Sequence, residues 1–324
     1  MKKFLLLISC FWCGILSAQD FTLVNHNLTP FSLNPSLAGN AKDIRLGLNY
    51  RQQWMALGNH YHTVRTSFDM SFHQKACNVG FAYSYDNMAN GVYAVNEFDF
   101  VYAQRLLFAE GISLRLGVQG SLFLNRLGWD KIKYGDQFDY NTRRPSFETL
   151  ETFDDDSRFF ADVSVGAAFN IENKLTLGAA LYHVAEPSNG FKDLKDNKLD
   201  RKLVFHLNYL KDLEYKNGLW GKSSLSDNYL FLNGSYQRQD EFQMVNACVG
   251  LAWDPIIFGV CDKNSLTGIN VIGLMAGIHF KGLQVFYVFD LNTTTKHNGS
   301  WSHELNLIYI IAKKDKYPCP VTYW

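Results

Sequence analysis

Residues 112–122 read Ile-Ser-Leu-Arg-Leu-Gly-Val-Gln-Gly-Ser-Leu, with mostly apolar even positions and polar or small odd positions. Residues 64–72 repeat the alternation, with Val, Thr, Phe, Met and Phe on one side and Arg, Ser, Asp and Ser on the other. Because side chains two residues apart share one face of a strand, each segment predicts a strand with one apolar face. Few folds other than a transmembrane β-barrel repeat such a strand many times.

About fourteen segments of this kind lie between Ile44 and Ala312. Fourteen is even, as expected of a bacterial barrel whose two chain ends lie on the periplasmic side. The sequence therefore predicts an all-β fold, a transmembrane antiparallel β-barrel of about 14 strands. The predicted strands are 44–54, 60–73, 76–86, 91–107, 111–126, 158–170, 173–184, 200–213, 227–238, 241–253, 256–262, 267–280, 282–293 and 302–313.

The lengths of the connections support this count. If the first strand runs outward, every second connection is a periplasmic turn and the others are surface loops. Short turns are predicted at 73–76, 108–110, 170–173, 254–255 and 281–282, and the alternate connections include the long, polar segments 127–157 and 185–199. The 214–226 connection is too long for this rule, and we expect longer flanking strands to shorten it.

The N-terminus has the pattern of a secretory signal peptide. Met1-Lys2-Lys3 precedes an apolar run over 4–16 and a small-residue site at 17–19. A lipoprotein site at 7–10 is the weaker alternative, because cleavage there leaves too short an apolar run before it. No later stretch approaches the ~20 apolar residues of a membrane helix. We expect a signal peptide at 1–19, a periplasmic or plug segment at 20–43, an outer-membrane barrel at 44–313 and a periplasmic tail at 314–324.

Composition narrows the possible functions. The 31 basic and 31 acidic residues cancel, so the chain lacks the positive charge that nucleic-acid binding requires. Aromatic residues make up 15% of the chain, which fits aromatic girdles at the two membrane interfaces. The core of an all-β sandwich is an alternative explanation for part of that richness.

Polar side chains recur at the positions predicted to face the lumen. They either pair with one another in a filled barrel or line a conducting pore, and the sequence leaves both interpretations open. Their placement is regular, because a charge on the lipid face costs about 2–4 kcal/mol near the midplane. These positions are Arg45, Arg65, Asp69, Glu97, Asp99, Arg115, Asp162, His206, Asn208, Glu304 and Asn306.

Cysteines Cys77, Cys248, Cys261 and Cys319 remain after the signal peptide. An even number in an oxidising compartment permits disulfides without requiring them. We interpret Cys77 and Cys248 as small apolar wall residues. No Cys-x-x-Cys pair remains, so neither a zinc site nor a redox site is indicated.

No catalytic, metal or cofactor site is predicted. His60 and His62 lack acidic or cysteine partners nearby, and the acidic stretch 154–156 lacks the spaced ligands of a calcium loop. Ser302 and His303 are adjacent in a predicted strand, so they face opposite ways and do not belong to one hydrolase triad. We therefore expect a protein that is not an enzyme.

Two boxes near the predicted start of the barrel resemble a known family. They are Asn34-Pro35-Ser36-Leu37-Ala38-Gly39 and Tyr50-Arg51-Gln52-Gln53-Trp54, and they resemble the Asn-Pro-(small)-x-Ala-Gly box and Arg-x-Gln-Trp strand of the PorP/SprF family of type IX secretion outer-membrane proteins. Segment 182–189 is similar to the family's His…Pro-Asn segment. Segments 289–290 and 299–305 resemble its last hairpin, with Trp301 inserted, and 318–320 its Cys-Pro tail.

These boxes also have a physical interpretation. Pro35 fixes the backbone and Gly39 permits a turn, so the first box predicts a rigid bend that acts as a clasp, a plug or a partner contact. Arg51 is in phase with the lumen, and Trp54 fits an outer interfacial aromatic. The candidate structural or interaction residues are Asn34, Pro35, Ala38, Gly39, Arg51, Trp54, Trp129, Tyr134, Phe138, Tyr140, His303 and Glu304.

The resemblance implies a non-enzymatic component of type IX secretion, which helps to export or anchor a large surface protein such as an adhesin or gliding filament. The implied partners are a secreted protein with a C-terminal secretion signal, components of the periplasmic ring and outer-membrane lipid. Our hypothesis is a membrane-fixed receptor for that signal domain, with the aromatic residues of 127–157 as anchors. The alternatives are a transporter for hydrophobic small molecules and a purely structural link between ring and envelope.

Overall fold

A computed structural model describes residues 28–40, 44–55, 60–72, 76–137, 149, 156–191, 198–213, 217–218, 221–222, 228–266, 268–294 and 301–311. Fourteen strands form one closed antiparallel barrel, as the alternation predicts. The first strand, β1 (Ile44–Gln53), and the last, β16 (Ser302–Ile311), pair along their full length, and this pairing closes the sheet. Closure leaves no unpaired edge in the membrane.

Each predicted strand is present, with its ends within three residues of the expected positions. Two further strands, β9 and β10, pair with each other outside the barrel. The strands are β1 Ile44–Gln53, β2 Tyr61–Phe72, β3 Cys77–Met88, β4 Tyr93–Ala109, β5 Ile112–Leu127, β6 Ser157–Ile171, β7 Leu175–Tyr182, β8 Lys202–Leu213, β9 Asn217–Gly218, β10 Gly221–Lys222, β11 Asn228–Gln239, β12 Phe242–Trp253, β13 Ile256–Ser265, β14 Asn270–Phe280, β15 Leu283–Asn292 and β16 Ser302–Ile311.

Helical structure is sparse. Helix α1 spans Pro30–Leu33, and a single 3₁₀ turn follows at Pro35–Leu37. Further 3₁₀ turns span Ala89–Gly91, Trp129–Lys131 and Gly135–Gln137 in the outer connections. Within the described part of the chain, no helix has both the length and the apolar character to cross a membrane.

The alternation of side chains between the two faces is confirmed. In β5, Arg115 and Gln119 are buried, whereas Leu116 and Val118 are 44% and 51% exposed on the outside. Glu97 and Asn208 are only partly buried. The other nine predicted lumen positions are buried, namely Arg45, Arg65, Asp69, Asp99, Arg115, Asp162, His206, Glu304 and Asn306.

One half of the lumen wall carries apolar side chains. Strands β8 and β11–β16 turn them inward, where they meet in a single buried cluster. This half of the interior resembles the core of a soluble protein. The cluster contains Leu210, Tyr229, Phe231, Cys248, Ala252, Ile257, Cys261, Met275, Phe286, Val288 and Ile308 from the wall.

The expectation that longer flanking strands shorten the 214–226 connection is wrong. The flanking strands do not extend, because Leu213 already pairs with Asn228 at the end of their ladder. The connection instead contains the hairpin of β9 and β10, in which Gly218 pairs with Gly221. In this hairpin the backbone groups pair with each other. The connection therefore remains long without an extension of β8 or β11.

The cysteines correct a second expectation. Cys248 and Cys261 lie opposite each other in β12 and β13 and form a disulfide inside the lumen. The interpretation of Cys248 as an unpaired wall residue is therefore wrong. The reason is register, because the two-residue turn at 254–255 places these two positions face to face. Cys77 is a free, half-buried cysteine, and Cys319 lies outside the described residues.

A charge placed on the outer face tests the assignment of the two faces. We expect Val118→Arg, in the middle of β5, to lower the free energy of unfolding in vesicles by about 2–4 kcal/mol. Ser157→Arg at the outer end of β6 is the control, with an expected loss of about 0–1 kcal/mol. Urea titration of the refolded barrels measures both. Equal effects would contradict the placement of Val118 in lipid.

Candidate functional site

Segment 28–40 lies inside the lumen. Leu28, Phe31, Leu33 and Leu37 are each at most 2% exposed, and in helix α1 and its 3₁₀ turn only Ser32 is partly exposed. The 3₁₀ turn contacts the inner faces of β4, β5 and β6. Apolar contacts anchor the segment at three points. Leu28 packs in the cluster of Tyr229 and Phe231. Phe31 and Ala38 pack with Ala82, Val101 and Ala103, and Leu33 packs with Ala180, Tyr182 and Val204.

Asn34 is the best-bonded side chain of the segment and is fully buried. Its Nδ2 donates to the carbonyls of Ala167, at 2.9 Å, and Ala179, at 3.1 Å, and lies 3.0 Å from Nε2 of His206. Its Oδ1 accepts from the backbone N and the hydroxyl of Ser36, at 2.9 and 2.7 Å. The same amide thus caps the 3₁₀ turn and joins it to β6, β7 and β8.

The barrel wall carries glycines where segment 28–40 lies closest to it. A Cβ added at Gly117 in β5 would overlap the backbone of Pro35 and Ser36, and one added at Gly166 in β6 would overlap Asn34. A Cβ at Gly178 in β7 would overlap His206. Glycine in three adjacent strands therefore makes room for the backbone of Pro35 and Ser36 at β5, for the Asn34 side chain at β6 and for the His206 ring at β7.

Charged wall residues hold the two ends of the segment. Arg115 donates from Nε to the Ser36 carbonyl at 2.8 Å and from an amino group to the Ala38 carbonyl at 2.6 Å. The backbone N of Gly39, with φ at +66°, donates to Asp69 at 2.8 Å. Arg45 donates to the Leu28 carbonyl. The segment is thus bonded at its start, middle and end to side chains of the barrel.

Arg51 sits in a buried ionic network beside the closing pair of strands. Its guanidinium lies 3.1 Å from Glu304 in β16 and 3.1 Å from Asp290 in β15. Nζ of Lys263 in β13 lies 3.9 Å from Asp290. The network crosses the β1–β16 seam, so removing one member leaves a buried charge without its partner.

A second network surrounds Arg65. Its guanidinium lies 2.8 Å from Asp99 and 3.7 Å from Glu97, and 5.5 Å from the centroid of the Phe31 ring. Because Phe31 belongs to the lumenal segment, this network connects the ionic part of the wall with that segment.

The connection after β7 turns back into the outer mouth of the barrel. Leu199 is 7% exposed and packs on Phe123 and Phe160, whose rings stack at 4.8 Å. Nδ1 of His183 lies 2.9 Å from Oδ2 of Asp162 in β6. His183 and Leu199, at the two sides of the β7–β8 connection, are therefore tied to lumen-facing side chains of β5 and β6.

Of the remaining candidate residues, Trp54, Trp129, Tyr134 and His303 lie near the outer end of the barrel. Trp54, half-buried after β1, meets Tyr61 edge-on at 4.7 Å. Trp129 and Tyr134 are half-buried in the loop after β5, where the Tyr134 hydroxyl donates to the Trp129 carbonyl at 3.4 Å. His303 lies on the outer face, 2.5 Å from the Tyr287 hydroxyl. Phe138 and Tyr140 lie outside the described residues.

Ser302 and His303 face opposite sides of the wall, as predicted. Arg51 and Glu304, which the sequence assigns to the lumen without pairing them, come together there. In the described part of the chain, no group of three or more His, Cys, Asp or Glu side chains is arranged to hold a metal ion.

The sequence did not show which wall residues hold segment 28–40 in the lumen. Arg115, Asp69 and His206 were assigned to the lumen, but their common partner was not identified. The signal was available in the inward-facing glycines Gly117, Gly166 and Gly178 of three adjacent strands, since glycine in a strand often marks close approach of another backbone.

Comparison with known proteins identifies one family. The family described as "Type IX secretion system membrane protein PorP/SprF" matches residues 16–309, nearly the whole chain. No curated protein matches the chain in sequence.

Solved outer-membrane barrels are similar in shape. Omp33 of Acinetobacter baumannii has 9% identity and a TM-score of 0.47, over 84% of this chain and 100% of that one. The CymD monoaromatic hydrocarbon channel has 8% identity and a TM-score of 0.49, over 93% and 96%. Salmonella typhi OmpF, in a complex with daunomycin, has 11% identity and a TM-score of 0.38, over 84% and 98%. At these values the likenesses carry no information about function.

A matched pair of glycine substitutions tests the seat of the segment. We expect Gly117→Val to lower the free energy of unfolding by about 1–3 kcal/mol, because the backbone of Pro35 and Ser36 must move. Gly120→Val is the control, because a Cβ at Gly120 meets nothing within 4 Å. Urea titration in vesicles compares the two. A loss of stability in Gly120→Val as large as in Gly117→Val would show that strand glycine content, and not the segment, causes the effect.

The Arg51 network makes a separate prediction. Arg51→Met should cost about 3–5 kcal/mol of unfolding free energy, since two carboxylates stay buried without it. Arg201→Met is the control: its exposed pair with Glu186, at 3.3 Å, is worth about 0–1 kcal/mol. Adding Glu304→Gln to Arg51→Met should recover part of the loss in a double-mutant cycle. Strict additivity of the two substitutions would contradict a coupled pair.

Proposed function

The chain belongs to the PorP/SprF family of type IX secretion system membrane proteins, and on that premise we propose that it is a receptor in the outer membrane that holds the C-terminal signal domain of a secreted surface protein. Its membrane location and its place in type IX secretion follow from the family and the closed barrel. The receptor role, the client and the ring contact are the proposal.

The bonded segment in the lumen is the observation that carries this proposal. Asn34, Arg115 and Asp69 tie segment 28–40 to the wall over its whole length. For small molecules to pass through the lumen, segment 28–40 would have to leave it. Each hydrogen bond broken by its departure would leave a buried polar group without its partner, which is unfavourable. A barrel filled in this way acts more readily through its surfaces than through its lumen.

The outer mouth supports a client contact. The loop after β5 carries the half-buried aromatic residues Trp129 and Tyr134, and at the same end of the barrel Leu199 of the β7–β8 connection packs on Phe123 and Phe160. Large aromatic side chains on loops fixed to a rigid scaffold are the usual anchors of protein interfaces. We assign the client's signal domain to this surface.

The periplasmic end supports a ring contact. The β8–β11 connection, with its β9–β10 hairpin, is the long connection at the end where β1 begins and β16 finishes. Its sequence includes Leu219 and Trp220, which suit a protein contact. We assign the periplasmic secretion or motility ring to this connection.

The alternatives are weaker on these contacts. A transporter for hydrophobic small molecules needs a continuous path, which the bonded segment and the apolar half of the lumen oppose. A purely structural link between ring and envelope shares the periplasmic contact but gives no role to the aromatic outer loops. Candidate interaction residues therefore remain those of the lumenal segment and of the loop after β5.

Deletion of the loop tests the receptor role. We expect removal of residues 133–155 from the tagged full-length barrel to abolish co-purification of a large secreted protein with a C-terminal secretion signal, because the deletion removes Tyr134, Phe138 and Tyr140. Mass spectrometry of material purified from native envelopes measures the loss. Ring components should stay bound, since their proposed site is at the other end.

Removal of residues 295–300, a part of the outer β15–β16 connection that contains no Phe, Trp or Tyr, is the control and should retain the client. Resistance of each variant to unfolding in cold detergent confirms that its barrel has formed. Retention of the client after removal of 133–155 would refute the assignment of the signal domain to this loop. Absence of both client and ring components from the unmodified barrel would refute the receptor itself.

A further inference from the structure

A row of three polar side chains crosses the outer face of the barrel at the closing pair of strands. Gln52 of β1 pairs with His303 of β16 on one side and with His62 of β2 on the other. The adjacent Arg51 and Glu304 are buried in the lumen, so the row points outward. Because neighbouring strands lie about 4.8 Å apart, the Cα atoms of the two histidines are about 10 Å apart, with Gln52 between them. We call these three residues the seam row.

The seam row lies at the outer rim of the barrel. Each of its residues is the second from the outer end of its strand. Towards the membrane the outer face continues with Tyr50 and Leu305, which pair with each other. Beyond the row come Trp54 and Trp301, which are joined by a backbone hydrogen bond of 3.2 Å. Tyr and Trp concentrate at the level of the lipid headgroups. The row therefore faces the headgroup layer of the outer leaflet.

Two tyrosines orient the imidazoles of the row. The Tyr50 hydroxyl lies 3.0 Å from Nδ1 of His62, and the Tyr287 hydroxyl lies 2.5 Å from Nδ1 of His303. A phenol is a stronger donor than a neutral imidazole N–H, so the tyrosines donate, Nδ1 accepts, and each Nε2 carries the ring hydrogen. Among the described residues, neither Nε2 nor the Gln52 side chain has a hydrogen-bond partner. Three N–H donors are thus left for a molecule outside the chain.

The surroundings of the seam row favour an anionic ligand. The carboxylates of β15, β16 and β1–β3 are all buried in the lumen, namely Asp69, Asp86, Asp290 and Glu304. The outer face of these five strands therefore carries no carboxylate that could take the three donors. A phosphate group offers several acceptor oxygens and a negative charge, and hydrogen bonds to charged oxygens are stronger than those between neutral groups. Phosphate is also the group that lipid headgroups present at this level.

We propose that the seam row binds the phosphate group of a lipid in the outer leaflet, which accepts hydrogen bonds from Nε2 of His62, from Nε2 of His303 and from the amide of Gln52. The lipid is the source of the phosphate because the row faces away from the lumen at headgroup level. The bound lipid contacts β16, β1 and β2 at once, so it bridges the closing pair of strands from outside and stabilises the closed barrel. The site lies on the wall, so it is independent of the receptor role assigned to the loops.

Native mass spectrometry of the full-length barrel in a maltoside detergent, which has no phosphate, tests the site. The probes are diphosphoryl lipid A, a phosphorylated glycolipid, and the same lipid A after its phosphates are removed. We expect the phosphorylated form to bind more tightly, and His62→Phe combined with His303→Phe to weaken its binding about tenfold, because the lost hydrogen bonds go to a charged group. Gln243→Leu is the control, since this outward amide is also second from the outer end of its strand, and the variant should keep the affinity.

Thermal unfolding in the same detergent separates binding from folding. Without lipid A, the histidine double variant should unfold at the temperature of the unmodified barrel. Lipid A should raise the unfolding temperature of the unmodified barrel and of Gln243→Leu, and should leave that of the double variant unchanged. A large drop for the double variant without lipid A would mean that the histidines serve the fold, and an unchanged affinity would mean that they bind no lipid. Either result would overturn the proposal.

Other ligands are distinguished in the same way. Equal binding of lipid A with and without its phosphates would show that the acyl chains alone are recognised. Displacement of lipid A by millimolar inorganic phosphate would assign the row to free phosphate. A benzophenone amino acid in place of Phe289, which pairs with His303 on the outer face, should label lipid in intact envelopes. A discrete protein adduct there would assign the row to a protein, and each of these three results would overturn the proposal.

Discussion

The pairing of β1 with β16 is the interaction on which the rest of the structure depends. In lipid, each unpaired N–H or C=O group on a strand edge costs several kcal/mol. A sheet can therefore cross the membrane only when its first and last strands pair. Ten residues of β1 pair with ten of β16, and the Arg51 network lies on the inner side of this seam. Closure also divides the side chains into an outer and an inner set, which explains why the sequence alternates so regularly.

Closure creates an interior that has to be occupied or hydrated. This barrel fills it from two sources: inward apolar side chains of β8 and β11–β16, and the N-terminal segment 28–40. Gly117 and Gly166 leave room for the segment at β5 and β6, and hydrogen bonds of Asn34, Arg115 and Asp69 hold it there. An interior built in this way favours a barrel that presents surfaces to other proteins, and the PorP/SprF family, which belongs to a secretion system, is consistent with that use.

Much of the fold follows from the sequence because a period of two residues is a direct consequence of strand geometry. The alternation at 112–122 placed β5 and its faces correctly, and the short turns placed most strand ends. Pairing between side chains was harder, since it depends on register. The turn at 254–255 did fix the register that joins Cys248 to Cys261, and the disulfide was therefore within reach. A plug was one of the predicted places for segment 28–40, but its hydrogen-bond partners could not be predicted, because they lie on β1, β2 and β5–β8 and no single spacing encodes them. The β9–β10 hairpin was missed for another reason, since four paired residues are too few to show a period.

Segment 28–40 fills the lumen, and the ionic conductance of the purified full-length protein in planar lipid bilayers tests whether it also blocks passage. We expect the barrel to insert without opening a steady conductance, and to conduct once residues 28–40 are removed. A steady, porin-like conductance from the unmodified protein would contradict it, as would a barrel without the segment that conducts no better than the complete one.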